Sequence, residues 1–144
     1  MKRALLIFLI AICYSHTYAQ TLLSWNLDST GFITENFKFN KESVDYKIDI
    51  TVDKSLDHLY FNFRSGLVTG NLEVKFMDPN NKVEGTLMLE GAKFSNDSRK
   101  QVITANGNVI KDIENPLSGN WTLIIKSNDA IGDLTVSINN ESYE

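Results

Sequence analysis

The strictest constraint on this chain is a stretch in which apolar and polar side chains alternate without a break. Val44, Tyr46, Ile48, Ile50 and Val52 take one phase, and Asp45, Lys47, Asp49 and Thr51 take the other. Successive side chains of a strand point to opposite faces, so this pattern predicts a strand with one face in a core and one in water. The same period recurs along the chain. Leu59, Phe61 and Phe63 alternate with His58, Tyr60 and Asn62, and Leu72, Val74 and Phe76 with Glu73 and Lys75. Leu87 and Leu89, Val102 with its neighbours, Leu123 and Ile125, and Leu134, Val136 and Ile138 continue it. Leu22–Asn26 and Phe32–Phe39 add two strands near the start. No stretch of comparable length carries a helical period.

Turn chemistry separates these runs. Lys41-Glu42-Ser43 joins two strands, and Asp53-Lys54-Ser55 leads out of the most regular one. Asp78-Pro79-Asn80-Asn81 is a strong β-turn signal, with proline favoured at the second position and asparagine tolerant of left-handed geometry. Ser65-Gly66 and Thr69-Gly70 bracket a short excursion, Asn106-Gly107-Asn108 reads as a turn, and Gly132-Asp133 as the turn before a last strand. The expectation is an all-β, jelly-roll-like antiparallel sandwich of eight or nine strands. Its core would be filled by Trp25, Phe61, Phe63, Phe76 and Trp121.

The first nineteen residues stand apart. Lys2 and Arg3 precede an uncharged apolar run from Ala4 to Cys13, and a polar stretch follows and ends on Ala19 before Gln20. This is the layout of a signal peptide, so residues 1–19 are read as a targeting segment and residues 20–144 as one sandwich domain. The apolar run is shorter than the ~20 residues that span a bilayer. Lipid attachment at Cys13 ranks second, because Ile12 stands where a small residue is wanted. Localisation is therefore expected to be secreted or periplasmic, with a signal of bacterial appearance. Losing Lys2 and Arg3 leaves twelve basic against eighteen acidic side chains, a net charge of −6. Without a basic cluster the chain is a poor nucleic-acid binder. Without cysteine the mature chain has neither disulfides nor thiolate metal sites, so its stability rests on packing.

Two segments resemble a known family. Gly70-Asn71-Leu72-Glu73-Val74-Lys75-Phe76-Met77-Asp78-Pro79-Asn80-Asn81 is similar to the central strand and turn of the jelly-roll domains that accompany secreted proteases. Gly119, Trp121 and Leu123 match the Gly-x-Trp-x-Leu of their closing strands. The chain from about Val44 to Ile138 thus resembles the proprotein-convertase P-domain and the bacterial pre-peptidase C-terminal domain. It departs from them at Asn80-Asn81, where a glycine is usual, and at Asn71-Leu72-Glu73, where paired aspartates are common. The resemblance implies a non-catalytic accessory module and, in such loops, calcium. Asp78, Asn80 and Asn81 form one candidate calcium loop; Asn128, Asp129 and Asp133 form another, in the connection between the last two strands. The same residue types serve turn geometry with no metal at all.

Catalytic signals are sparse. His58, the histidine of the mature chain, falls on the polar phase of a strand, and no serine lies in a nucleophile elbow. Histidine, cysteine and carboxylate spacing for zinc is absent. Asp45, Asp49, Asp53 and Asp57 recur every fourth residue, as a solvated face would. The expected role is a secreted, non-catalytic binding or accessory module for protein or glycan, acting through its loops and one exposed sheet face. Tyr46, Tyr60, Tyr143 and Trp25 are the aromatics available to a sugar platform. The alternatives are a small secreted hydrolase using a carboxylate pair, and a surface protein that assembles through its edge strands. The N-glycosylation patterns at Asn96, Asn120 and Asn140 are read as chance matches.

Overall fold

A computed structural model describes residues 21–27, 31–92 and 104–140. Residues 1–19, read above as a targeting segment, and Val102, Asn96 and Tyr143 lie outside them. Seven strands make up the described chain: β1 (Thr21–Leu27), β2 (Phe32–Glu42), β3 (Asp45–Val52), β4 (His58–Met77), β5 (Val83–Glu90), β6 (Ala105–Glu114) and β7 (Gly119–Asn139).

Two of them, β4 and β7, are about twice as long as the longest ordinary strands, and they organise the molecule. The first half of β4 pairs with β6 and the second half of β7, and that half of β7 also pairs with β2. The second half of β4 pairs with β5 and the first half of β7, which pairs in turn with β3 and, through it, β1. One continuous sheet therefore has two wings, and β4 bends sharply enough to stack them. Phe61 and Phe76, fifteen positions apart on one strand, meet with ring centroids 4.8 Å apart. Extended, those positions would stand roughly 50 Å apart.

The bend has a definite chemistry. Gly70 has φ +77°, and a Cβ there would stand 2.4 Å from the Asp129 carbonyl oxygen. A side chain at Gly132 would meet the Gly66 carbonyl oxygen at 2.1 Å. The backbones of β4 and β7 cross too closely at this point for any residue but glycine. The β4–β7 register slips on both sides of Thr69. Strand period is two, so a slip exchanges the inward and outward phases. Inward residues of β4 are accordingly odd-numbered before the bend (Leu59, Phe61, Phe63, Leu67) and even-numbered after it (Leu72, Val74, Phe76). In β7 they change from Trp121, Leu123 and Ile125 to Leu134, Val136 and Ile138.

The two-layer, all-β architecture expected from the alternation is present, and each alternating run named above within the described residues sends its apolar phase into the core or against it. Trp121 is 1% exposed, stacks on Phe76 at 5.1 Å and donates its indole N–H to the Leu117 carbonyl 2.7 Å away. Trp25 packs partly against the core. Four details differ from expectation. The runs 59–63 and 72–76 belong to one bent strand, as do the last two runs, so Gly132-Asp133 is a bend inside β7 and not a turn. The described strands thus number seven. Asn106-Gly107-Asn108 lies inside β6, where a Cβ on Gly107 would meet the side-chain ends of Leu87 and Leu89 of the opposite wing at 2.7 Å. Finally, β1 runs parallel to β3, the one parallel pair among described strands that are otherwise antiparallel.

Candidate functional site

The outer face of the wing built from β2, β7, β4 and β6 forms a grid that follows from register alone. Lys38, Asp133, Gly66 and Asn106 lie across one row, and Asn36, Thr135, Arg64 and Asn108 across the next. Thr34, Ser137, Asn62 and Ile110 make a third, followed by Phe32 and Asn139 beside Tyr60 and Asp112. Amides and hydroxyls dominate this face, and fixed charge is thin.

Its relief comes from one missing side chain. Gly66 floors a groove of about 670 Å³ walled by Arg64, Thr104, Asn106, Asn108, Asp133 and Thr135. A Cβ on Gly66 would come within 3.0 Å of Asn106 Oδ1 and 3.8 Å of Asp133 Oδ1, so both oxygens face the vacant space. A smaller depression beside it is lined by Asn62, Arg64, Thr135 and Ser137.

Hydrogen bonding divides the face. On the β2 side, hydroxyls face partners across the strands: Thr34 Oγ1 and Ser137 Oγ stand 3.4 Å apart, and Thr135 Oγ1 lies 3.5 Å from Asn36 Oδ1. On the β4–β6 side, the side chains of Arg64, Asn106 and Asn108 bond to no other described residue. The amide oxygen of Asn62 is shielded from water and has no partner among the described residues. A shielded acceptor in that condition costs about 1–3 kcal/mol.

The sequence-predicted site residues occupy three separate places. Asp78 sits in the β4–β5 turn, where its Oδ1 accepts from the backbone N–H of Asn80 at 2.9 Å and of Lys82 at 2.8 Å. Asn81 donates its N–H to the Asp78 carbonyl and holds φ +63°, as the turn prediction requires. Asn128 and Asp129 lie at the β7 bend. Ser43 Oγ donates to Asn128 Oδ1 and accepts from the Asp129 N–H, each at 3.1 Å. Asp133 is carried onward by the continuous strand and belongs to the groove, opposite Gly66. The second loop read from the sequence therefore does not exist as a loop. Among the described residues, no three histidine, cysteine or acidic side chains converge to hold a metal ion.

The remaining titratable groups are engaged locally. His58 Nδ1 lies 3.3 Å from Asp112 Oδ1. Asp53 Oδ1 accepts the Ser55 N–H at 2.8 Å, and hydrogen bonds from Ser55 hold its carboxyl below the ordinary range. Asp45 pairs with Lys126 at 3.2 Å, and Asp49 with Lys47 at 3.8 Å. Glu84, on β5, is clamped between Lys111 of β6 and Lys82, and these contacts lower its carboxyl below the usual value.

Reasoning from sequence missed the groove. Its signal lay in the polar phase of the strands, in Tyr60-x-Asn62-x-Arg64, Asn106-x-Asn108 and Thr135-x-Ser137-x-Asn139, which carry amides and hydroxyls where solvated strands commonly carry charges.

No protein-family model matches the chain, and no curated protein matches it. Among solved structures, that of the infectious bursal disease virus Gx strain is similar at a TM-score of 0.32 and 12% identity, over 80% of this chain and 32% of that one. The chain spans about a third of the length of that structure, and a likeness at this level says nothing about role.

Proposed function

We propose that the chain is an exported, non-catalytic β-sandwich module that binds glycan through its amide face. The observation that carries this reading is the Gly66 groove, an open trough rimmed by amides that bond to no other described residue, a guanidinium and a carboxylate. Sugar hydroxyls both donate and accept, and they are met best by groups that do the same. An amide presents two donors and an acceptor, and a carboxylate takes two hydroxyls. Tyr60 and Phe32 stand at one end of the face, where a sugar ring could lie against an apolar surface.

The export part of the reading rests on the signal-like layout of residues 1–19, a basic pair followed by an uncharged apolar run. The non-catalytic part of the reading is supported by the local engagement of Asp45, Asp49, Asp53 and His58, each of which has a partner beside it. The resemblance to protease-associated jelly rolls agrees with an accessory role, with a peptidase or surface assembly as the larger partner.

The test is retention of the protein on a panel of neutral and charged polysaccharides, with Gly66→Val beside it. A valine there fills the trough while its neighbours on the strand keep their pairing. Retention of the wild type and its loss in the variant, with an unchanged circular-dichroism spectrum, is the expected result. Turnover of a polysaccharide by the wild type would overturn the non-catalytic part. Retention by neither protein would overturn the glycan part.

A further inference from the structure

Resting on the glycan reading, we infer that the groove selects an anionic sugar residue set among neutral ones, its carboxylate or sulfate taken by Arg64. The groove is asymmetric in charge. Arg64 pairs in register with Asn108 on one side and Thr135 on the other, neither of which carries charge. It forms no ion pair with a described residue, as is also true of Lys38 at the β2 side of this face, whereas Lys47, Lys75, Lys82, Lys111 and Lys126 each do. A guanidinium left open beside amides has a planar fork that matches a carboxylate or sulfate ester in two parallel hydrogen bonds.

The same groove holds Asp133, whose Oδ1 faces the Gly66 floor. That carboxylate accepts hydroxyls and, although Lys38 stands beside it in register on β2, puts a negative charge where a second anion would come. A polymer with a charge on every residue would place one anion on Arg64 and bring the next towards Asp133. A polymer in which charged and neutral residues alternate would place hydroxyls there instead.

The experiment measures affinity for hyaluronan, in which a uronate alternates with a neutral amino sugar, for kappa-carrageenan, in which a sulfated galactose alternates with a neutral one, and for polygalacturonate, charged at every residue. Carboxyl-reduced hyaluronan and desulfated carrageenan separate the two sources of charge. The expected result has three parts. One alternating polymer binds at least ten-fold tighter than polygalacturonate. Removing one kind of charge costs ten-fold or more. Arg64→Gln reproduces that loss, while Asp133→Asn narrows the gap to polygalacturonate. Equal binding of charged and uncharged forms would overturn the assignment to Arg64 and leave the glycan reading standing. Preference for polygalacturonate would overturn the role given to Asp133. Binding to no polysaccharide, neutral ones included, would overturn both readings.

Discussion

The two outer faces of this sandwich are built from the same two long strands and yet solve the problem of meeting water differently. On the wing of β1, β3, β7, β4 and β5, cations and anions sit side by side. Lys126 reaches Asp45 at 3.2 Å, Lys75 reaches Glu73 at 2.5 Å, and Lys47 lies 3.8 Å from Asp49. Register puts Lys126 between Asp45 and Glu73, so the charges run across three strands in alternating sign. Such a face is neutralised by its own members. On the other wing the polar phase is amides and hydroxyls, and one glycine opens a trough among them. The difference teaches where to look for recognition in a small all-β domain. A self-paired charged face keeps the chain soluble, while a face whose donors and acceptors exceed its internal pairings has capacity left for a ligand.

The most severe way to break this comparison is to remove the bend that separates the faces. Gly70→Ala puts a Cβ 2.4 Å from a backbone oxygen at a residue with φ +77°, so strain and clash add. We expect a loss of more than ~3 kcal/mol of stability, read as a fall in the denaturation midpoint, with both faces lost together. The comparison is sharpened next by paired substitutions. Gly66→Val should lower glycan affinity ten-fold or more, about 1.4 kcal/mol, while Lys75→Ala on the charged face leaves affinity unchanged. Titration calorimetry on the two variants measures the contrast directly.

How much of this was legible beforehand depends on which phase of a strand is read. The apolar phase is nearly self-explanatory: Ile48, Ile50, Phe61, Phe63, Val74, Phe76 and Leu123 are all fully buried, because burial demands a side-chain type. Even the switch between odd and even positions in β4 could be read from Phe63 and Leu72. What the local signals hid was continuity. Ser65-Gly66, Thr69-Gly70 and Gly132-Asp133 have the composition of turns, and only the approach of a distant strand shows that they are bends in unbroken strands. Gly107 misled for the same reason, since the atoms that exclude its side chain, on Leu87 and Leu89, come from the opposite wing. Asp78 was legible because an aspartate that caps its own turn needs no distant partner. The groove was not, because register brings together Arg64, Asn108 and Thr135 from three strands.

A smaller effect is expected where the two wings meet at their β5 and β6 edges. Glu84 accepts from Lys111 across the sandwich and from Lys82 beside it, and its carboxyl is held below the ordinary value mainly by the hydrogen bond from Lys111. Both ammonium groups remain in water, so screening limits the pair to about 0.5–1 kcal/mol. The sign follows from the lowered value. The stabilisation is present above the ordinary glutamate pKa of about 4.3 and is lost as pH falls through the folded value. Glu84→Gln should therefore be less stable than the wild type at pH 7, with the gap closing in acid and shrinking in high salt. A gap that widened in acid would mean that Glu84 is not the anion of this clamp.

The smallest effect is predicted on the charged face itself, and it discriminates most finely between the two solutions. Glu73 touches Lys75 at 2.5 Å, and both side chains are about one-third exposed. An ion pair open to water contributes between nothing and about 1 kcal/mol, because solvation of the separated charges nearly offsets their attraction. Glu73→Ala leaves Lys75 able to turn into solvent and Lys126 still beside Asp45. The expected change in stability is within about 0.5 kcal/mol, with none in glycan affinity. A ten-fold loss of affinity would mean that the ligand lies across the charges and that the amide face has been assigned the wrong task. With affinity unmoved, the charged face is left as what its pairing describes, a surface occupied with itself.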